Sequence, residues 1–289
     1  MHGESIIDQK LILNRDRMKD MRLKVYTHML QTRGWKYRSF LRYLRVFKYI
    51  AFAPVRGEFL ESYYVLMRYL DDIVDGDAKL PKNYKDESTY LKDKIEFSNL
   101  PVDPKDEVDY LMLHCFELAK KFNEDFQSET KDILESLWFD AKRRNKLIVF
   151  GEKELMHHFH KLDVRGTIQA TLKIFKEDPT KYDILEPLGM ATRCQFDLED
   201  FEADIAAGYV NVTKEECAEF NITQEDLHNI SAPSIKKWFQ YKAQYGMALL
   251  KEHRRRLPEG QFKLLTRATF PLVYELPAKK VFQGILKSK

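Results

Sequence analysis

The segment Tyr64-Val-Leu-Met-Arg68-Tyr-Leu-Asp71-Asp72-Ile-Val-Asp75-Gly-Asp77 carries an apolar helix into a cluster of carboxylates. At 3.6 residues per turn, Asp71 and Asp75 share a face one turn apart, with Asp72 beside them and Arg68 one turn back. Like charges at that spacing destabilise a bare helix by about a few tenths of a kcal/mol per pair. A cluster that works against its own helix usually has something positive to hold. Hard carboxylate oxygens, with no Cys or His among them, suit Mg²⁺, which binds through one or two carboxylates and fills its shell with water and substrate phosphate. The plain alternative is a solvated acidic helix end, in a chain with 45 acidic residues.

A second cluster weighs against that alternative. Asp197-Leu-Glu-Asp200-Phe-Glu-Ala-Asp204 places Asp197, Asp200 and Asp204 at i, i+3 and i+7, one stripe over two helical turns. Two stripes facing each other across a cavity would hold a diphosphate through several Mg²⁺ ions. Such a site ionises an allylic diphosphate, because the metals stabilise the charge that develops on the leaving group.

The elements that must position these residues are helices. Among 289 residues there are 11 glycines and 10 prolines, and no strand-turn rhythm recurs. Apolar positions keep helical spacing over long segments, which predicts a nearly all-α chain. The spacing predicts a charged amphipathic helix over about 5–33, the first acidic helix over about 57–75, and a polar, Pro-marked stretch over 76–104 with a short helix around Tyr90. Further helices are expected over 106–126, 128–146, 152–163, 182–207 and 234–256, with a last one around 262–276. The basic, aromatic stretch Gly34 to Ala53 reads as a core helix, with a membrane-surface or partner helix as the alternative. No internal repeat, low-complexity tract or linker interrupts the chain, so one domain is expected over 1–289.

Several smaller patterns have bland readings. Asp140 and Arg144, at i and i+4, read as a surface ion pair. The run His157-His158-Phe159-His160 invites a metal, but it lacks an acidic third ligand at a familiar spacing. Arg254-Arg255-Arg256 reads as a basic helix C-terminus favoured by the dipole. Cys115, Cys194 and Cys217 form neither a zinc pattern nor a disulfide framework and fit a reducing cytoplasm. With 48 basic against 45 acidic residues, nothing points to nucleic acid as a partner. The N-terminus lacks a signal-peptide core, and no run approaches a spanning helix. A cytoplasmic protein follows, at most peripheral to a membrane.

The motifs resemble the squalene/phytoene synthase family of head-to-head prenyltransferases. Its first motif, Tyr-x-x-x-Arg-x-x-Asp-Asp-x-x-Asp, is matched by Tyr64, Arg68, Asp71, Asp72 and Asp75. Its second, Asp-x-x-x-Asp-x-x-x-Gly, is matched by Asp200, Asp204 and Gly208. Asp140 and Arg144 look like an Asp and Arg that the family has between them, Gly166 like its helix-packing glycine, and Tyr274 like part of its C-terminal region. The resemblance runs over about 46–274 and implies an all-α, single-domain class I isoprenoid synthase fold with helices around a central cavity.

By that resemblance, several Mg²⁺ ions would join Asp71, Asp75, Asp200 and Asp204 to a prenyl diphosphate, with Asp72 and Asp197 supporting as ligands. Arg68 would neutralise diphosphate oxygens, Tyr64 would sit near the leaving group, and Arg144 and Tyr274 would contact substrate. An allylic cation, steadied by aromatic faces, would be attacked by the second prenyl diphosphate. NADPH is not indicated. Around the second motif the sequence departs from the family. Arg193, Phe196 and Glu199 stand where the family has Gln, Asn and Arg, and Tyr209, Asn211 and Thr213 where it has Arg, Tyr and Pro. These departures bear on the two-substrate reaction, so two other readings stay open. One is a one-substrate enzyme on the same scaffold, a class I terpene synthase or prenyl diphosphate phosphatase. The other is a non-catalytic relative. Chain length, oligomeric state and membrane contact are not set by the sequence.

Overall fold

Apolar residues at helical spacing build the chain into helices, and the computed structural model describes residues 4–32, 44, 46, 48 and 54–288. Apart from Leu44, Val46 and Lys48, the helix expected from Gly34 to Ala53 lies outside the described residues. The chain divides into two compact units, Met1–Lys131 and Asp132–Lys289.

The first unit contains α1 (Glu4–Thr32), α2 (Pro54–Asp75), α3 (Glu87–Asn99), α4 (Glu107–Lys120) and the start of α5 (Gln127–Arg143). Helix α2 packs on α4, and Phe59, Leu66 and Leu70 of one with Leu111, Met112 and Cys115 of the other are buried. Burying each such side chain contributes about 1.5–3 kcal/mol. Phe59 also stacks on Tyr63 and lies 4.2 Å from the Phe126 ring, centroid to centroid. The short helix expected around Tyr90 is α3, capped by Asp86, whose Oδ1 accepts from Thr89 N at 2.7 Å. An ion cluster ties α3 to the start of α4. Lys94 is fully buried with Nζ 2.7 Å from Asp109, 2.8 Å from Asp106 and 3.3 Å from Asp93.

The second unit continues α5 and adds α6 (Glu152–Phe159), a π-helical stretch (His160–Gln169) and α7 (Ala170–Ile174). Then come α8 (Tyr182–Glu199), α9 (Phe201–Ala206), α10 (Lys214–Phe220), α11 (Gln224–Leu227) and α12 (Pro233–Arg256). The unit closes with α13 (Leu264–Phe270), a π turn (Pro271–Glu275) and α14 (Leu276–Lys287). Helix α12 packs along both α8 and α14. The expected close approach at Gly166 is present, since a Cβ there would lie 2.4 Å from Ile133 Cγ1 on α5.

Two boundaries differ from expectation. The helix predicted over 182–207 breaks at Asp200, whose backbone turns to φ −104° and ψ 7°. The bend sets Phe201 in the core beside the rings of Trp238 and Phe239 on α12, 5.6 and 5.2 Å away. The last helix does not end near Leu276 but runs on to Lys287. Pro271 opens the π turn and Pro277 follows it at the start of α14, both within one helical run. Among the described residues there is no strand, only an isolated parallel bridge between Ile148 and Tyr209. Among them, too, no helix is long and apolar enough to cross a membrane.

Candidate active site

The first acidic motif occupies the last two turns of α2. Arg68 donates from Nε to Asp72 Oδ1 at 2.9 Å, and its Nη1 lies 2.7 Å from Asp71 Oδ2. Asp72 is only 1% exposed, with His28 Nε2 of α1 3.8 Å from its other oxygen. Asp71 and Asp75 are half-buried and stand one turn apart, as the spacing predicts. Tyr64, half-buried, sits one turn before Arg68. Gly76, at φ 77°, ends the helix, and the chain turns back with Ala78 N donating to Asp72 O at 2.8 Å. Arg68 holds two carboxylates at once, the buried Asp72 and the half-buried Asp71.

The second motif repeats that device in the other unit. Arg193 Nε donates to Asp197 Oδ1 at 2.8 Å, again four residues ahead, and Asp197 is 1% exposed. The arginine that replaces a family Gln is thus aligned with the acidic stripe. Lys242 of α12 lies 3.7 Å from Asp197 Oδ2 and 3.2 Å from Glu216. Burial works against both cations, but the surrounding carboxylates, Asp197 first among them, raise both above their ordinary values. Because the helix breaks at Asp200, the three aspartates do not share one environment. Asp200 is exposed at the bend, and Asp204 is half-buried on α9. Burial pushes the Asp204 carboxyl up to about 7, with Arg193 opposing. Its Oδ2 accepts from Asn211 Nδ2 at 2.8 Å.

Asn211, one of the departures from the family pattern, also accepts from Arg143 Nη1 at 2.8 Å. Tyr209 lies under the same guanidinium, 5.0 Å from ring centroid to Cζ, and Thr213 caps α10. Gln195, itself buried, donates to the exposed Glu199 one turn on along α8, at 2.8 Å. Phe196 is exposed, and the Arg193 guanidinium lies 5.7 Å from its ring.

The reading of Asp140 with Arg144 as a surface pair is corrected. Asp140 accepts from Arg143 Nε at 2.7 Å and lies 3.3 Å from His158 Nε2 inside the unit. Burial works against its charge, yet His158 and Arg143 together hold the carboxyl well below the usual carboxylate range. Arg143, three residues after Asp140 on the same helix, is the guanidinium that reaches it. Arg144 N continues the helix by donating to Asp140 O at 3.0 Å. Ser136 Oγ lies 2.7 Å from His158 Nδ1. The order Ser136–His158–Asp140 has the shape of a nucleophile relay, but Ser136 and His158 are buried and the arrangement serves as an internal staple. Of the other histidines in that run, His157 is exposed and His160 lies 3.6 Å from Glu186. Tyr274 is half-buried in the π turn, its ring 5.5 Å from Phe270.

Arg143, His158, Asp163 and Lys242 were not singled out from the sequence as parts of this site. Asp163 comes from the π-helical stretch, and its Oδ2 is buried without a hydrogen-bond partner. Burial pushes that carboxyl up to about 7, against the pull of Arg193. A basic residue four positions before an acidic one was legible at both motifs. The tertiary partners were not.

Among the described residues, no three carboxylate, imidazole or thiol groups converge as a ready-made metal cage. Mg²⁺ needs no such cage, since it keeps several waters and is bound through one or two carboxylates. The half-buried pair Asp71 and Asp75, and Asp200 with Asp204, offer that kind of all-oxygen donor set.

The helical architecture is an all-α fold of the kind seen in class I isoprenoid synthases. In particular, the chain is similar to squalene synthase HpnC from Alicyclobacillus acidocaldarius, with 14% identity and a TM-score of 0.67 over 95% of this chain and 94% of that one. It is also similar to a dehydrosqualene synthase solved in complex with a ligand, with 15% identity and a TM-score of 0.61 over 94% of this chain and 84% of that one. The fold is that of the squalene/phytoene synthase family, as the motifs imply. No protein-family model matches the sequence, and no curated protein matches it.

Proposed function

We propose that the chain is a Mg²⁺-dependent prenyltransferase that joins two prenyl diphosphates head to head, releasing two diphosphates and a proton and forming a phytoene-type hydrocarbon; a squalene-type product would in addition need a hydride from a nicotinamide reductant. The observation that carries this reading is the matched device in the two acidic motifs. In each, an arginine holds a buried aspartate four residues ahead, Arg68 on Asp72 and Arg193 on Asp197, at 2.9 and 2.8 Å. A merely solvated acidic end has no need to bury one carboxylate and hold it there with an arginine. The fold likeness to two enzymes named for squalene and dehydrosqualene synthesis supports the same reading. Because the first likeness spans 95% of the chain, the proposal takes residues 1–289, with both compact units, as one isoprenoid synthase-like domain.

In this mechanism Asp71, Asp75, Asp200 and Asp204 would hold the metal ions, with Asp72 and Asp197 as supporting acids. When bound, Mg²⁺ supplies positive charge to the diphosphate leaving group. Arg68 already spans two carboxylates, and its planar fork can pass from Asp71 to a phosphate oxygen while Nε stays on Asp72. Tyr64, Arg144 and Tyr274 contact the substrate. Arg193 and Lys242 hold Asp197 inside the unit, at 2.8 and 3.7 Å from its two oxygens. Asn211 holds Asp204 in place by donating to the oxygen that would otherwise turn freely.

Incubation of the purified protein with farnesyl or geranylgeranyl diphosphate and Mg²⁺, followed by identification of the hydrocarbons, tests the proposal. A coupled product with twice the carbon count of its substrate is expected. A monomeric alcohol or cyclic hydrocarbon would replace it with the one-substrate reading, and no turnover at all would overturn both.

A further inference from the structure

From Leu264 to Lys287, α13, the π turn and α14 follow one another as a continuous helical run. Its inner face is buried as expected, through Thr266, Phe270, Ala278 and Phe282. Its outer face is apolar too. Leu264, Leu272 and Leu276 are 80%, 56% and 51% exposed, and Ala268 between them is exposed as well. These four lie four residues apart, so they stack along one side as a ridge. A single exposed leucine is ordinary, but a row of large apolar side chains in register marks a contact surface.

Charge decides what the ridge contacts. Arg267, Lys280 and Lys287 are exposed beside it, and Lys279 is half-buried. The acidic residue of this run, Glu275, is buried and accepts from Arg254 Nε at 2.6 Å. No exposed carboxylate therefore offsets the cations between Leu264 and Ser288. A second copy of the chain, meeting this surface about a two-fold axis, would press the same cations against one another. A bilayer with anionic headgroups meets both demands. Leucines enter the boundary between headgroups and acyl chains, and long basic side chains reach the phosphates above them.

We propose that the ridge Leu264–Leu276, with Arg267, Lys279, Lys280 and Lys287, docks the protein on an anionic lipid surface, lying in the plane of the interface. The proposal stands apart from the catalytic reading, because none of these side chains belongs to the acidic motifs.

Sedimentation of the full chain with phosphatidylcholine vesicles, with and without phosphatidylglycerol, tests it. The protein is expected to pellet with the anionic vesicles and to be released by salt. Arg267→Gln with Lys280→Gln should weaken binding about tenfold or more, since each basic residue near such a surface contributes about fivefold. Leu272→Ser with Leu276→Ser should abolish pelleting while helical circular dichroism and the unfolding midpoint stay near wild type. The proposal is overturned if wild type stays in the supernatant, or if both variants pellet as wild type does. A wild-type dimer that the serine variant dissolves would equally overturn it, by showing that a second copy covers the ridge.

Discussion

Replacing Asp163 with Asn probes the electrostatics of the second motif without touching its proposed ligands. The folded protein holds this carboxyl up to about 7, and the ordinary value is 3.8. A group raised on folding stabilises the native state fully below its unfolded pKa, and that contribution disappears as pH rises through the folded value. Each unit is worth 1.36 kcal/mol, so about 2–3 kcal/mol should be lost between about pH 5 and pH 8. Asn stays neutral and loses nothing over that range. His158 and His253, both depressed by burial, change stability with the opposite sign. They are common to both proteins and cancel in the comparison. Urea unfolding followed by far-UV circular dichroism should therefore show the variant gaining about 2–3 kcal/mol on wild type as pH rises from about 5 to 8. A difference that stays constant across that range would refute the idea that a charge at Asp163 is paid for by folding.

Three further outcomes follow from the geometry. Gly208→Ala should lower the thermal midpoint sharply, because φ is 86° and the added Cβ would lie 2.4 Å from Asn145 N; the backbone strain alone costs about 1–3 kcal/mol. Lys94→Met should cost about 3–5 kcal/mol in urea unfolding, since it takes the buried cation from buried Asp109 and half-buried Asp106 while Asp93 keeps Lys105, and a loss under about 1 kcal/mol would show that Asp106 and Asp109 do not depend on it. Asp71→Ala and Asp200→Ala should each remove product formation while helical circular dichroism is unchanged; near-normal turnover in either would remove that carboxylate from the ligand set.

Helix α2 and its motif were legible because apolar spacing, a terminal Gly76 and clustered carboxylates all sit within one local stretch. The break at Asp200 was not, since Glu199-Asp200-Phe201 contains neither Gly nor Pro. It arises where Phe201 meets Trp238 and Phe239, a contact made across more than thirty residues of sequence. The continuation of the last helix past Pro277 was hidden because proline reads as a stop, whereas here Pro277 follows a π turn at the start of α14. The partner of Asp140 was misjudged by one residue because i, i+4 spacing favours Arg144, whereas Arg143, three residues on, is the one that reaches it and also donates to Asn211 and Val210. Lys242 carried no local signal at all. Its role depends on α12 lying along α8.

The short pairing beyond α5 has a consequence for what this protein can tolerate. Asn145 N and Leu147 N donate to Ala207 O and Gly208 O, at 2.9 and 3.2 Å, and Lys214 N donates to Phe150 O at 2.8 Å. These bonds zip together two ribbons that flank Arg143 on one side and Asp204 on the other. Adding or deleting a single residue in either ribbon would slide the match by one step, moving the guanidinium away from Asn211 and turning Asp204 loose. Length changes can accumulate cheaply at the exposed bends of the chain, but here the residue count itself is under constraint.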